Sequence, residues 1–161
     1  VISIFDIKQV NVEIFKAIRD DAEIVKLLDI DKFEMTHDEF IEALRKQIFD
    51  AQTPDDLLTN YSTKICIHDE SGGSVNSFEE VGYIAVDIHI TQDKTSVDRR
   101  HLIIMKRLIE ILDTNNRQKL GLKKLPIGLY GLSYRRRDNI QLSRNTGWEK
   151  YTLVFEYKYL I

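Results

Sequence analysis

The sequence is short of the residues that most often announce a chemistry. Its 161 residues include one cysteine, one tryptophan, two prolines and seven glycines. The lone cysteine, Cys66, excludes an internal disulfide and suits a reducing compartment. It lies in an alternating apolar stretch, where a buried structural thiol is a better reading than a nucleophile. The glycines fall in neither phosphate-loop nor dinucleotide spacing, so Gly72-Gly73 reads as a flexible turn. There is no GxSxG, no HExxH and no cysteine pair. No apolar run approaches the about eighteen residues of a membrane helix, and no signal-peptide pattern opens the sequence. The expectation is a soluble chain made in the cytoplasm, with no membrane partner.

What is present is charge, unevenly placed. The formal net charge is −3, with 43% hydrophobic and 30% charged residues, ordinary for one globular domain with a real core. Residues 1–60 hold 7 basic against 14 acidic side chains, 61–115 hold 6 against 9, and 116–161 hold 10 against 3. An acidic beginning and a basic end point to contact between unlike surfaces. The basic end would meet nucleic acid or the acidic half of another copy.

Helical spacing fills the first fifty residues: Val10, Ile14, Ala17 and Ile18, then Ile24, Leu27 and Leu28 after the Asp20-Asp21 break. Thr36 and Glu39 have the spacing of a capping box. The helix they open carries Phe40, Ile41, Leu44 and Ile48 on one stripe, with Phe49 at its margin, and ends at Thr53-Pro54. Two strands follow, one through Tyr61, Thr63, Ile65 and Ile67, the other through Ile84, Val86, Ile88 and Ile90. Asp87 and His89 lie on the second strand's polar, solvent-facing side. Residues 69–81 between the strands read as a long loop, either mobile until a partner orders it or an idle surface loop.

Thr95 and Asp98 predict the cap of a long helix with Leu102, Met105, Leu108, Ile109 and Leu112 inward, the stripe widened by Ile104 and Ile111, and Asn115-Asn116 at its end. A basic connection, Arg117 to Lys124, leads to a strand over 127–135, broken by Gly128 and Gly131. The last strand alternates Tyr151, Leu153, Phe155, Tyr157, Tyr159 and Ile161 against polar neighbours. Together these predict one α+β domain over 1–161: a helical segment (1–58) and a sheet–helix–sheet core (59–161). The antiparallel sheet has about four strands, covered by the long helix.

Three constellations merit weighing. His68, Asp69 and Glu70 with Asp87 and His89 offer imidazole and carboxylate ligands if their strands pair, but as a metal site they lack a recognised spacing. Arg135, Arg136 and Arg137 admit three readings: a solvated strand end, a protein interface, or phosphate contacts in a small nucleic-acid-binding or nuclease-like domain. Trp148 and Tyr151 open the terminal strand, and their residue types are enriched with Arg at interface hot spots. If the last two strands form a hairpin, arginines and aromatics share one end of the sheet.

Three stretches carry a resemblance. They are IRDDAEIVKLLDI running on to TPDDLLTNYSTKICIHDE, VGYIAVDIHITQDKTSVDRRHLIIMKRLIEIL, and YGLSYRRRDNIQLSRNTGWEKYTLVFEYKYLI. In order, size and texture the chain resembles the tail terminator (tail-completion) proteins of long-tailed bacteriophages. The resemblance implies a non-enzymatic ring, typically a hexamer, in the virion at the head–tail joint, with no catalytic residues, cofactor or metal. Its partners would be the tail tube protein, a head–tail connector protein, and viral DNA crossing the lumen without sequence recognition. The helical insert at 32–50 is longer than the family pattern, which keeps a stopper or adaptor as the alternative. On this reading Arg135, Arg136, Arg137, Trp148 and Tyr151 meet a neighbouring subunit.

Overall fold

The computed structural model describes residues 9–50, 62–141 and 147–160. Three short helices lead: α1 (Gln9–Arg19), α2 (Ala22–Leu27) and α3 (His37–Arg45), with a 3₁₀ turn at Lys32–Glu34. Val10, Ile14 and Ile18 bury one stripe of α1. Asp21 caps α2 by accepting from the Ile24 amide at 2.9 Å. The Thr36 capping box is formed in full: Thr36 Oγ1 accepts from the Glu39 amide, and Glu39 returns the contact to the Thr36 amide at 2.8 Å.

Among the described residues, five strands make one sheet in the order β1-β2-β3-β5-β4. They are β1 (Ile48–Phe49), β2 (Lys64–Ser74), β3 (Glu79–Thr91), β4 (Ser133–Gln141) and β5 (Trp148–Leu160). The ladders are antiparallel except β1, which runs parallel to β2. On the helix side, Ile65, Ile67, Ile84, Val86, Ile88, Leu153 and Phe155 join Ile14, Ile18, Leu44, Ile104 and Leu108 in one core. Burying a side chain of this size stabilises by about 1.5–3 kcal/mol, so this layer supplies most of the fold's driving force. Between β3 and β4 lie α4 (Gln92–Asp98), α5 (Arg100–Leu112) and α6 (Thr114–Lys119).

The α+β class, the N-terminal helices and the long helix on the sheet agree with the sequence reading. Several local expectations do not. The third helix stops at Arg45, and Ile48 and Phe49 pair with Ile65 and Cys66 instead of extending it. The Ile65 amide donates to the Gln47 carbonyl at 2.7 Å, drawing the chain into the sheet. The polar stretch 69–81 is mostly strand, not loop. β2 and β3 continue to a tight turn where Asn76 Oδ1 accepts from the Phe78 and Glu79 amides at 2.8 and 2.9 Å. Gly72 lies in a bulge between Glu70 and Gly73, where a Cβ would strike the Val81 carbonyl.

The long helix is two. α4 begins at Gln92 after Thr91, three residues before Thr95, and Arg99 at φ 50° breaks it from α5. Ile104, Met105, Leu108, Ile111 and Leu112 of α5 are buried as read, while Leu102, expected inward, is exposed. Asp113 ends α5 and caps α6, accepting from the Asn116 amide at 3.0 Å and from the Tyr134 amide at 2.9 Å. The basic connection therefore begins as a helix. The strand expected over 127–135 lies at Ser133–Gln141, because Gly128 (φ 59°) and Gly131 (φ 75°) take left-handed turn conformations that favour glycine, where a Cβ would strike the Lys158 carbonyl and Thr114 Oγ1.

The helical layer is clamped by Arg107, which was not singled out by sequence. Its guanidinium contacts Asp21 at 2.7–3.2 Å, Glu110 at 3.1 Å and Glu23 at 3.3 Å. The hydrogen bonds to Asp21 raise its already high pKa further. One carboxylate thus caps α2 and ties it to α5.

Candidate assembly surface

Among the described residues, β4 closes one side of the sheet and pairs with β5 alone. Its first half carries the arginines. A bulge between Tyr134 and Arg136 displaces Arg135, whose fork grips Glu156 of β5 at 2.9 and 2.7 Å. That hydrogen-bonded carboxylate raises the Arg135 pKa. Arg136 reaches Asp138 at 3.3 Å with both side chains exposed, a contact worth about 0–1 kcal/mol. Arg137 is exposed and makes no ion pair among the described residues.

The register assigns faces, because residues opposite one another in a ladder share a side. Arg137 stands opposite Leu153, on the helix side, and Arg136 opposite Val154, on the outer side. Tyr151 is two positions from Leu153 on the helix side, half-buried and stacked on His101 at 4.6 Å. Its hydroxyl donates to Glu149 at 2.6 Å, and burial with that bond pushes its pKa up to about 12. His101 is held below the usual imidazole range, chiefly by burial.

Trp148 departs from the expected placement. Its ring is 0% exposed and lies opposite Thr91, with the Lys64 ammonium 5.6 Å from its centroid. It therefore supports the sheet from inside instead of presenting a contact. Nor do the arginines share its end of the sheet. β4 starts six residues later than expected and runs antiparallel, so its last residue, Gln141, faces Glu149 beside Trp148.

Across the sheet, β2 is covered by β1 only at Ile65 and Cys66. Past that point its outer edge carries no strand among the described residues. Asp69 and Glu70 stand there, exposed and with no ion pair to a described residue. Asp69 lies opposite Ile84 on the helix side, and Glu70 opposite Tyr83 on the outer side. Sequence reading did not single out either as an interface residue. Their strand position is invisible until residues 69–74 are known to extend β2.

Of the candidate ligands, Asp87 and His89 occupy the sheet's outer face and are buried, not solvent-facing as expected. Asp87 and His89 are each 1% exposed. His68 Nε2 lies 2.7 Å from Asp87 Oδ2, and Thr152 Oγ1 donates to Asp87 Oδ1 at 2.6 Å. Both Asp87 oxygens are thus engaged, and Asp69 lies on the opposite, helix side of the sheet. Among the described residues no group of three metal-capable side chains converges. Cys66 beside them is buried, and that burial, with the Asp87 charge, pushes its thiol up to about 12. Lys64, fully buried, donates to the Ser62 carbonyl and hydroxyl at 3.0 Å.

These features define an α+β protein with a helix-backed sheet, a buried polar row on its outer face and oppositely charged edges. The same fold occurs in a chain from the virion of a native gene transfer agent particle. The two align over 94% of this chain and 94% of that chain, with TM-score 0.58 and 12% identity. Residues 21–157 match the YomW family, and the chain belongs to that family. No curated protein matches it.

Proposed function

We propose that this chain is a non-enzymatic structural protein of a phage-like virion, a tail terminator. Its copies close a ring, typically a hexamer, on the head-proximal end of the tail tube. The observation that carries the reading is the end-to-end likeness of fold to a chain of a gene transfer agent virion. The distribution of charge supports it. A head-to-tail ring needs two different complementary surfaces on every copy, and this sheet has a basic and an acidic edge. In the ring, Arg135, Arg136, Arg137 and Tyr151 lie at a subunit boundary, with Trp148 holding the strand behind them. One rim meets the tail tube protein and the other a head–tail connector protein, and DNA crosses the lumen without being read.

The test is to add the purified protein to tail tubes that have polymerised without a terminator. The expected image in the electron microscope is a ring at one end of each tube, with tube growth arrested. Tubes that continue to lengthen and carry no added density would contradict the proposal.

A further inference from the structure

We infer that neighbouring copies join edge to edge, the β4 edge of one adding to the open β2 edge of the next. This rests on the ring reading and specifies its interface. Among the described residues the two strands are the sheet's open edges, since β1 covers only the start of β2, and Asp69, Glu70, Arg136 and Arg137 are exposed there. An exposed edge offers unpaired N–H and C=O groups to any strand that fits. Each edge is here guarded against its own kind. Two β4 edges would bring Arg135, Arg136 and Arg137 against the same cluster, and two β2 edges would oppose Asp69 and Glu70 to themselves. Only the unlike pairing removes the repulsion, so the joint is head-to-tail and propagates.

Direction and register follow from the same ladders. β2 is antiparallel to β3, β3 to β5 and β5 to β4, so β2 and β4 run in opposite directions. A rotation about an axis along the strands preserves those directions, and β4 meets the next β2 antiparallel. The regular part of β4 begins at Arg136, after its bulge, and the regular part of β2 ends at Glu70, before its own. Setting Glu70 opposite Arg136 places Asp69 opposite Arg137 and His68 opposite Asp138. Faces agree at every pair. Glu70 and Arg136 lie on the outer side, as do His68 and Asp138, and Asp69 and Arg137 on the helix side. β1 and the two bulges limit the joint to residues 67–70 against 136–139. Arg136 gives up only its exposed contact with Asp138.

The test is a cross-link. Opposite residues in an antiparallel pair have Cα atoms about 4.5–5.5 Å apart, within disulfide reach. A chain carrying both Glu70→Cys and Arg136→Cys should, on mild oxidation, give a ladder of covalent multimers on a non-reducing gel. Neither single substitution should go past dimer, and buried Cys66 should stay out of the reaction. In parallel, Asp69→Lys with Glu70→Lys should weaken assembly roughly tenfold or more. Adding Arg136→Glu and Arg137→Glu to that same chain should restore it. Multimers in sedimentation without a ladder, or charge swaps that fail to rescue, would overturn the edge joint and leave the ring standing. A chain that stays monomeric under every condition would overturn both.

Discussion

In the middle of the sheet, polar side chains are buried and engaged within the chain. Asp87 takes Thr152 and His68, and Lys64 takes Ser62 beneath Trp148. At the edges the pattern reverses: Asp69, Glu70 and Arg137 are exposed and form no ion pair among the described residues. A buried polar group left unpaired costs about 1–3 kcal/mol, so the interior has to be satisfied by folding alone. Exposed charges carry no such penalty and remain available for another copy. The interior should therefore govern stability, and the edges should govern association.

Substitutions at graded depth sharpen that division. The largest effect is expected at Ile88, fully buried on the central β3. Ile88→Ala should lower unfolding free energy by about 2–5 kcal/mol in urea titrations. Asp87→Ala strips Thr152 and His68 of their shared acceptor and should cost about 1–3 kcal/mol, with Asp87→Asn losing less because one acceptor remains. Equal stability of both variants to wild type would mean that the buried polar row is idle.

Cys66 gives a pH signature. Its thiol moves from 9.0 to about 12 on folding, so the folded chain holds that proton more tightly than the unfolded chain. Its contribution to stability is complete below pH 9.0 and lost as pH rises towards about 12. Alkylation at mildly alkaline pH should be slow in the native protein and fast in urea. The smallest stability effect belongs to the edge. Arg136→Glu with Arg137→Glu should change unfolding free energy by within about 0.5 kcal/mol while impairing association. A large loss of stability would place those side chains in the fold instead.

Legibility in the sequence followed the range of the interactions. The Thr36–Glu39 box and the alternation of Leu153, Phe155 and Tyr157 are local patterns, and both appear as read. Residues 69–81 misled because Ser, Gly and Asn suit loops, whereas their ladder comes from backbone pairing with β3. Asp87 and His89 looked solvated because alternation assigns a side of the sheet but does not say whether that side is covered. Trp148 and the arginines were placed together because a six-residue shift of β4 depends on left-handed Gly128 and Gly131. The charged candidates were visible at Arg135–Arg137, but their acidic counterparts were not. Among the described residues, Asp69 and Glu70 become an edge only once β1 is seen to end at Phe49.

Sedimentation velocity of the unmodified protein, across concentration at low and at high salt, tests the central claim most directly. The account predicts one discrete closed multimer at low salt that dissociates towards monomer as the edge charges are screened. A monomer at every concentration and salt, or a multimer strengthened by salt, would contradict it.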